Sequence, residues 1–481
     1  MFEDRSAHIA ENPPFTGYGA AVTRGEHGPV VLVAGHGCGN QLLAWTDGEL
    51  RNRSCGIIAD ANRKAIGVAA ADLDTDGDEE LYVHNTDTYS GVSGNTDLLL
   101  DRIDHDGRTV WCDAFALDVN ADRGNFNAGR SVAAVDRFGT GRYGMLVGSC
   151  DAATRFYELG DDGEITDMAD AVGLAMACGA RSLIAAPLVT DSMDVFVGVE
   201  RGPNRLFRNE DGHFVDVAAD LGVDAPDDDA RGATLVDAGH GAFALAVGSW
   251  EDDNHLFAPT DDGFTDVSPP AFAAPTQVRT VVAADFDNDG RQELFVNTLG
   301  SENRLFAPVD ASSNAEDGSS DAPATKWESL PLGDAAEPQG LGTGAVVADF
   351  DGDGTLELLV VHGEVDAQPL SLYSAPTDND WLRVVPTTQY GAPARGAVVT
   401  LDTDRGRQRR VIDAGSSYLC QCEPVAHFGL GGATARQHRP RSLTVRWLDG
   451  RERTVENPKA NTTHEIAHPN AAATAPHDPT F

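Results

Sequence analysis

The sequence predicts an all-β protein, a seven-bladed β-propeller of four-stranded blades followed by a small β-sandwich or barrel-like domain. Three observations carry this. An acidic nine-residue loop between two apolar runs recurs along the chain, a short strand such as Asn204-Arg205-Leu206-Phe207 follows each loop, and both patterns stop near residue 380. Repeating units of this size cannot bury their apolar faces singly, so they stack or close into a ring.

The loop is clearest at 280–298, TVVAADFDNDGRQELFVNT, where Asp285, Asp287, Asp289 and Glu293 occupy loop positions 1, 3, 5 and 9. Gly290 permits the sharp turn, and the carbonyl of Arg291 offers a further oxygen. The pattern returns with Asp72, Asp74, Asp76, Asp78 and Glu80, and again with Asp349, Asp351, Asp353, Thr355 and Glu357. Carboxylates crowded this closely repel one another unless a hard cation collects them, and Ca²⁺ takes six to eight oxygens in a flexible shell. Three calcium ions are therefore expected, one per complete loop, against the alternative of a plain acidic hairpin turn. The loops are not EF-hands, because the twelfth residue is Val83, Val296 or Val360 where a bidentate Glu is required.

Aligned on the first loop position, the units begin at Thr23, Asp72, Asp136, Pro187, Asp237, Asp285 and Asp349, and four of the seven have lost the carboxylate set. A fourth strand of F-x-D type recurs at Phe214 and Phe264. The seventh unit lacks one, and Phe2-Glu3-Asp4 at the N-terminus supplies the missing piece, so the first residues should close the last blade. An insertion at 309–325, rich in Ser, Asp and Ala, reads as a surface loop. The expected organisation is a propeller over 1–379, a second β domain over 380–468 with strands in LRVVPTTQYG, GAVVTLDT, RRVIDAG and SLTVRWLDG, and an unstructured tail over 469–481.

The 481 residues carry a formal charge of −41, with 76 acidic against 35 basic side chains, and Lys64, Lys326 and Lys459 are the only lysines. Such a field repels phosphate, which argues against nucleic-acid binding. It resembles the composition of proteins kept in molar salt, where self-repulsion is screened. Between Asp380 and His468 the balance reverses, with 13 Arg or Lys against nine Asp or Glu. No apolar run is long enough for a membrane helix. No secretory signal is visible, so the cytoplasm is expected, with an extracellular location as the alternative. Seven cysteines without framework spacing suggest reduced thiols, and a monomer is expected.

Six residues before the loop, units three to six carry Arg130, Arg181, Arg231 and Arg279, where the others have Gly17, Ile66 and Thr343. First strands line a propeller's channel, so these four would share one channel mouth. They offer either an anion-binding arc or blade-to-blade pairing with Glu200, Glu251, Asp252, Glu302 or the fourth-strand Asp113, Asp167, Asp216 and Asp266. Cys420-Gln421-Cys422 with His427 falls short of zinc spacing and reads as buried thiols.

The loops resemble FG-GAP (VCBS) repeats, and Gly415-Ser416-Ser417-Tyr418 followed by HFGLG at 427–431 and Trp447-Leu448-Asp449-Gly450 resembles an ASPIC/UnbV domain. Together they resemble the cartilage acidic protein family. The resemblance implies a calcium-binding, non-enzymatic extracellular or interaction protein. No phosphate loop, nucleophile elbow or H-E-x-x-H motif is present. The reading is a calcium-binding interaction module for a protein or glycan; the alternative is a propeller lyase or hydrolase acting on an anionic sugar.

Overall fold

The computed structural model describes residues 1–86, 91–104, 109–237, 239, 243–309, 326–432 and 438–471. The insertion at 310–325 and the tail from 472 lie outside the described residues. Seven four-stranded antiparallel sheets form the propeller. The first strands of the blades, beginning with Gly17–Gly25 in blade 1 and ending with Gly342–Ala348 in blade 7, pack in sequence, and blade 7 returns against blade 1. These strands are almost wholly buried and rich in Ala, Val and Gly, because small side chains let seven sheets converge on one axis.

Blade 7 is closed by the other end of the chain. Glu3 pairs with Ser374 and Asp4 with Tyr373, while the Phe2 N–H donates to the Leu332 carbonyl at 2.7 Å. Phe2 is buried edge-on against Phe286, with ring centroids 4.9 Å apart, so the closing strand is anchored in the core between blades 6 and 7. The closure removes a bare sheet edge.

The first strand of every blade carries a β-bulge near its start, between Gly129 and Val132 in blade 3, for example, and between Ala180 and Ser182 in blade 4. A bulge leaves a residue out of the ladder and re-aims its side chain. The recurrent arginines occupy these bulges, which is why they repeat with the blades. In blade 1 the bulge spans Gly17 to Ala20, so Tyr18 rather than Gly17 packs with Ile66 in the channel.

The C-terminal module is a two-sheet β-sandwich. Asp380–Thr387 lies between Ala426–Gly431 and Thr463–Ala467, and faces a sheet ordered Gly406–Val411, Val398–Thr403, Pro440–Arg446 and Glu452–Glu456. Leu382, Val384, Val399, Leu401, Phe428, Leu443 and Val445 fill the space between the sheets.

Candidate metal centres beneath the module

Each complete loop joins the first and second strands of its blade, with its Glu opening the second strand: Glu80, Glu293 and Glu357 are all nearly inaccessible. One oxygen of each Glu accepts the N–H of loop position 2, from Leu73 at 2.5 Å, Phe286 at 2.9 Å and Phe350 at 2.8 Å. The first-position aspartates accept the N–H of the loop glycine, from Gly77, Gly290 and Gly354, at 3.1–3.3 Å. These bonds fix the turn and point the remaining oxygens at one another.

The oxygens left over form compact sets. Asp285, Asp287 and Asp289 each place a carboxylate oxygen within 4.8 Å of the others, as do Asp349, Asp351 and Asp353, and Asp72, Asp74 and Glu80. Glu80 Oε1, Asp285 Oδ1 and Asp349 Oδ1 are buried without a hydrogen-bond partner. A buried carboxylate oxygen without a partner is costly, and one in each complete loop, at position 9 in blade 2 and position 1 in blades 6 and 7, marks an arrangement that fits a hard, oxygen-seeking cation. Burial, reinforced by neighbouring carboxylates, pushes Asp72 and Asp285 up to about 7, Asp349 to about 6 and Glu357 to about 9. Asp78 turns away to Arg102 at 2.5 Å, and Arg291 pairs with Asp289 at 2.9 Å. The Thr355 N–H donates to Asp353 Oδ1 at 2.7 Å.

The loops lie against the C-terminal module, and this contact is absent from the sequence reading. Arg383 donates to Asp349 Oδ2 at 2.8 Å and also pairs with Glu423. Arg410 approaches Asp285 and Asp237, each at 3.5 Å. Arg395, fully buried, meets Glu79 at 2.5 Å and donates to the carbonyls of Asp413 and Val22. The HFGLG strand rests on the blade 6 loop: the Gly429 N–H donates to Asp285 Oδ2 at 2.8 Å, and His427 Nε2 faces Asn288 Oδ1 at 2.6 Å. Burial holds His427 well below the usual imidazole range, so it sits there neutral. A methyl group at Gly429 would fall 2.2 Å from the Asn288 carbonyl carbon, and one at Gly354 would fall 1.8 Å from Trp381, so both glycines are required by close approach.

From the same side, the segment 413–423 enters the channel. The Ser417 N–H donates to Ala233, Leu419 to Ser131 Oγ and Gln421 to Ala20, while the Gln421 amide brackets the backbone of Ala70. Cys420 is buried in this segment, with its thiol pushed up to about 12 by burial, and all seven cysteines are free. Tyr418 reaches the arginine arc, its hydroxyl accepting from Arg181 at 2.9 Å and its ring 5.9 Å from the guanidinium carbons of Arg181 and Arg279.

In the arc, Arg181 meets Glu200 at 2.5 Å, Arg231 meets Asp229 at 2.7 Å, and Arg279 meets Glu364 at 2.6 Å and lies 4.0 Å from the Trp250 ring centroid. Arg130 donates to the Gly129 carbonyl at 2.6 Å and to Cys150 Sγ at 2.8 Å. The fourth-strand aspartates serve elsewhere. Asp167, Asp216 and Asp266 pair within their own blades with Arg155, Arg205 and His255, and Asp113 caps the turn at Phe115. They precede the arginine-bearing units because they cap third strands, not because they reach the channel.

Residues 387–473 match the ASPIC and UnbV family, and residues 238–296 match the FG-GAP-like repeat. Over 507 residues the chain is 39% identical to cartilage acidic protein 1 of Mus musculus, spanning 95% of this chain and 75% of that protein. The human protein gives 39% over 504 residues, with 95% and 73% covered. The chain belongs to the cartilage acidic protein family. Among solved structures, the BP39L lectin from Burkholderia pseudomallei aligns over 75% of this chain and 99% of its own, with a TM-score of 0.46 and 12% identity. For this member of the cartilage acidic protein family, the HFGLG and W-x-D-G motifs thus belong to a module seated on the acidic loops.

Proposed function

We propose that the chain is a calcium-stabilised interaction module whose ligand is a protein or a glycan. The observation that carries the calcium half is the trio of buried, partnerless carboxylate oxygens in blades 2, 6 and 7. Bound there, calcium would supply the positive charge that the crowded carboxylates lack, and the loop side chains would supply its oxygen ligands. Asp72, Asp74, Asp76 and Glu80 would hold one ion, Asp285, Asp287, Asp289 and Glu293 a second, and Asp349, Asp351, Asp353 and Glu357 a third. Because Arg383, Arg410 and Gly429 bond to the same first-position aspartates, the loops and the module brace each other.

The ligand half rests on the opposite face. Val92 is 75% exposed and Phe126 45% exposed, on adjacent connections of blades 2 and 3 joined by the Val92–Asn127 bridge. Exposed apolar side chains set on a rigid scaffold suit a macromolecular partner. Metal analysis of the dialysed protein tests the first half, and fewer than two calcium ions per chain would refute it. For the second half, Val92→Asp with Phe126→Asp should abolish capture of a partner retained by wild type on a protein or glycan array, with the melting temperature unchanged.

A further inference from the structure

The arginines of the C-terminal module divide by what they meet. Arg383, Arg395 and Arg410 face the propeller and pair with its carboxylates. Arg405, Arg439 and Arg441 do the opposite. Arg405 sits in the hairpin turn between Val398–Thr403 and Gly406–Val411, and Arg439 and Arg441 flank Pro440 where the neighbouring strand begins. All three are exposed, and among the described residues none has a carboxylate within ion-pair distance.

Backbone bonds gather them at one place. The Asp404 N–H donates to the Arg439 carbonyl at 3.1 Å, and the Arg439 N–H donates to Asp404 Oδ1 at 3.0 Å. Thr403 pairs with Pro440 but Asp402 with Ser442, so Arg441 is the extra residue of a bulge beside the same turn. The Arg439 N–H, with the guanidiniums of Arg441, Arg405 and Arg439, holds Asp404 below the usual carboxylate range. Every charged side chain of 402–407 and 439–441, paired or not, adds up to four arginines against two aspartates, and Arg407 already pairs with Asp402 at 2.9 Å. Acidic residues outnumber basic ones 76 to 35 in this chain, and most of its other arginines have found one. Three neighbouring guanidiniums left open in such surroundings mark a place for negative charge from outside.

Shape and charge narrow the partner. A nucleic-acid duplex or an anionic bilayer presents a broad negative face, which would press against the field of the −41 chain as well as the turn. A single anionic strand is narrow enough to meet the turn alone. Screening over a Debye length of about 8 Å at physiological salt lets the adjacent arginines outweigh carboxylates farther off. The turn offers guanidinium forks and no lysine, which suits bidentate capture of an oxyanion. Carboxylates abound in the chain and none has closed on the three arginines, which favours sulfate as the group recognised.

We propose that the turn of Arg405, Arg439 and Arg441 is a docking point for a sulfated polysaccharide. It depends neither on the calcium reading of the loops nor on the face bearing Val92 and Phe126.

The test is calorimetric titration of the full chain with a sulfated dextran oligosaccharide and with the same dextran unsulfated, at about 0.1 M salt. Wild type should bind the sulfated chain and ignore the unsulfated one. Arg439→Ser with Arg441→Ser should weaken binding about tenfold at an unchanged melting temperature. Arg405→Ser is the second variant if that pair folds poorly. Arg453→Ser removes another exposed arginine of the module, paired with Val445 and four residues along the strand from Arg441, and should bind as wild type does. No loss in the turn variants, or an equal loss in Arg453→Ser, overturns the site. Equal affinity for polyglutamate or single-stranded DNA of matched charge overturns the assignment to sulfated sugar. Self-association of wild type that the turn variants abolish would give the turn to a second copy of the chain and overturn it as well.

Discussion

Blades 2 and 3 make the same turn between their first two strands and solve the buried first-position aspartate in opposite ways. Asp136 of blade 3 accepts the N–H groups of Phe138, Thr140 and Gly141, the last at 2.6 Å, and Gly144 stands where blade 2 has Glu80. Asp72 accepts the N–H groups of Thr75 and Gly77 in the same fashion, but Asp74, Asp76 and Glu80 crowd in beside it. Blade 4 reaches the blade 3 solution by another route, with Asp194 accepting from the N–H groups of Leu188, Val189 and Thr190. The turn therefore needs no cation to form. What sets blade 2 apart, and what the calcium proposal rests on, is the excess of carboxylate left after the backbone donors are used.

The comparison breaks most visibly on chelation. At calcium a thousandfold above the dissociation constant each site adds about 4 kcal/mol, so removing all of it should lower the melting temperature by roughly 10 °C or more. A chelator-insensitive melt by calorimetry would show that the blade 2 type of loop is held like the blade 3 type.

Next in size is the clamp between module and propeller. Arg395→Ala strands Glu79, 3% exposed, without its guanidinium, and should cost about 3–5 kcal/mol in urea titration. The loss should persist in chelator, because Arg395 touches none of the oxygens assigned to calcium.

A matched pair sharpens the comparison further. Asp136→Ala in blade 3 should cost about 1.5–3 kcal/mol equally with calcium or chelator, since its partners are backbone donors. Asp287→Ala in blade 6 should lower the melting temperature in calcium and have little effect in chelator. Identical behaviour of the two variants would erase the distinction.

The smallest effect concerns two aspartates outside the loops, Asp228 and Asp266, which share one histidine. His255 lies between Asp228 and Asp266, the latter at 2.8 Å; burial pulls its basicity down, but bonds to the two carboxylates raise it above the usual imidazole value. A raised folded-state value means that its stabilisation is full below about pH 6.5 and is lost as pH rises through the folded value. Wild type should thus exceed His255→Gln by about 1 kcal/mol at pH 5.5, a margin that shrinks by pH 8.5 in urea melts.

How much of this was legible follows from where each signal lives. The loops, the blades and the closing strand are written in local spacing, and Phe2-Glu3-Asp4 was readable as a missing fourth strand because its fellows at Phe214 and Phe264 show the same pattern. The module's seat on the loops was not legible. Arg383, Arg395 and Arg410 meet partners far away in sequence, and a lone arginine on a strand carries no mark of its partner. The glycines of HFGLG were the available hint, since Gly429 has no reason to be small within its own strand.

The pairing of Glu3 with Ser374 also sets a timetable. At a synthesis rate of about 5–20 residues per second, the first strand waits roughly 20–70 seconds on the ribosome before its partner is made. Through that interval the closing strand has no sheet to join, and until blade 6 is made Phe2 is without its seat against Phe286. Tyr418 is made later still, so the channel must admit the segment that plugs it after most of the ring exists. Newborn chains, rather than finished ones, are the state in which this protein is most exposed to mispairing with a neighbour.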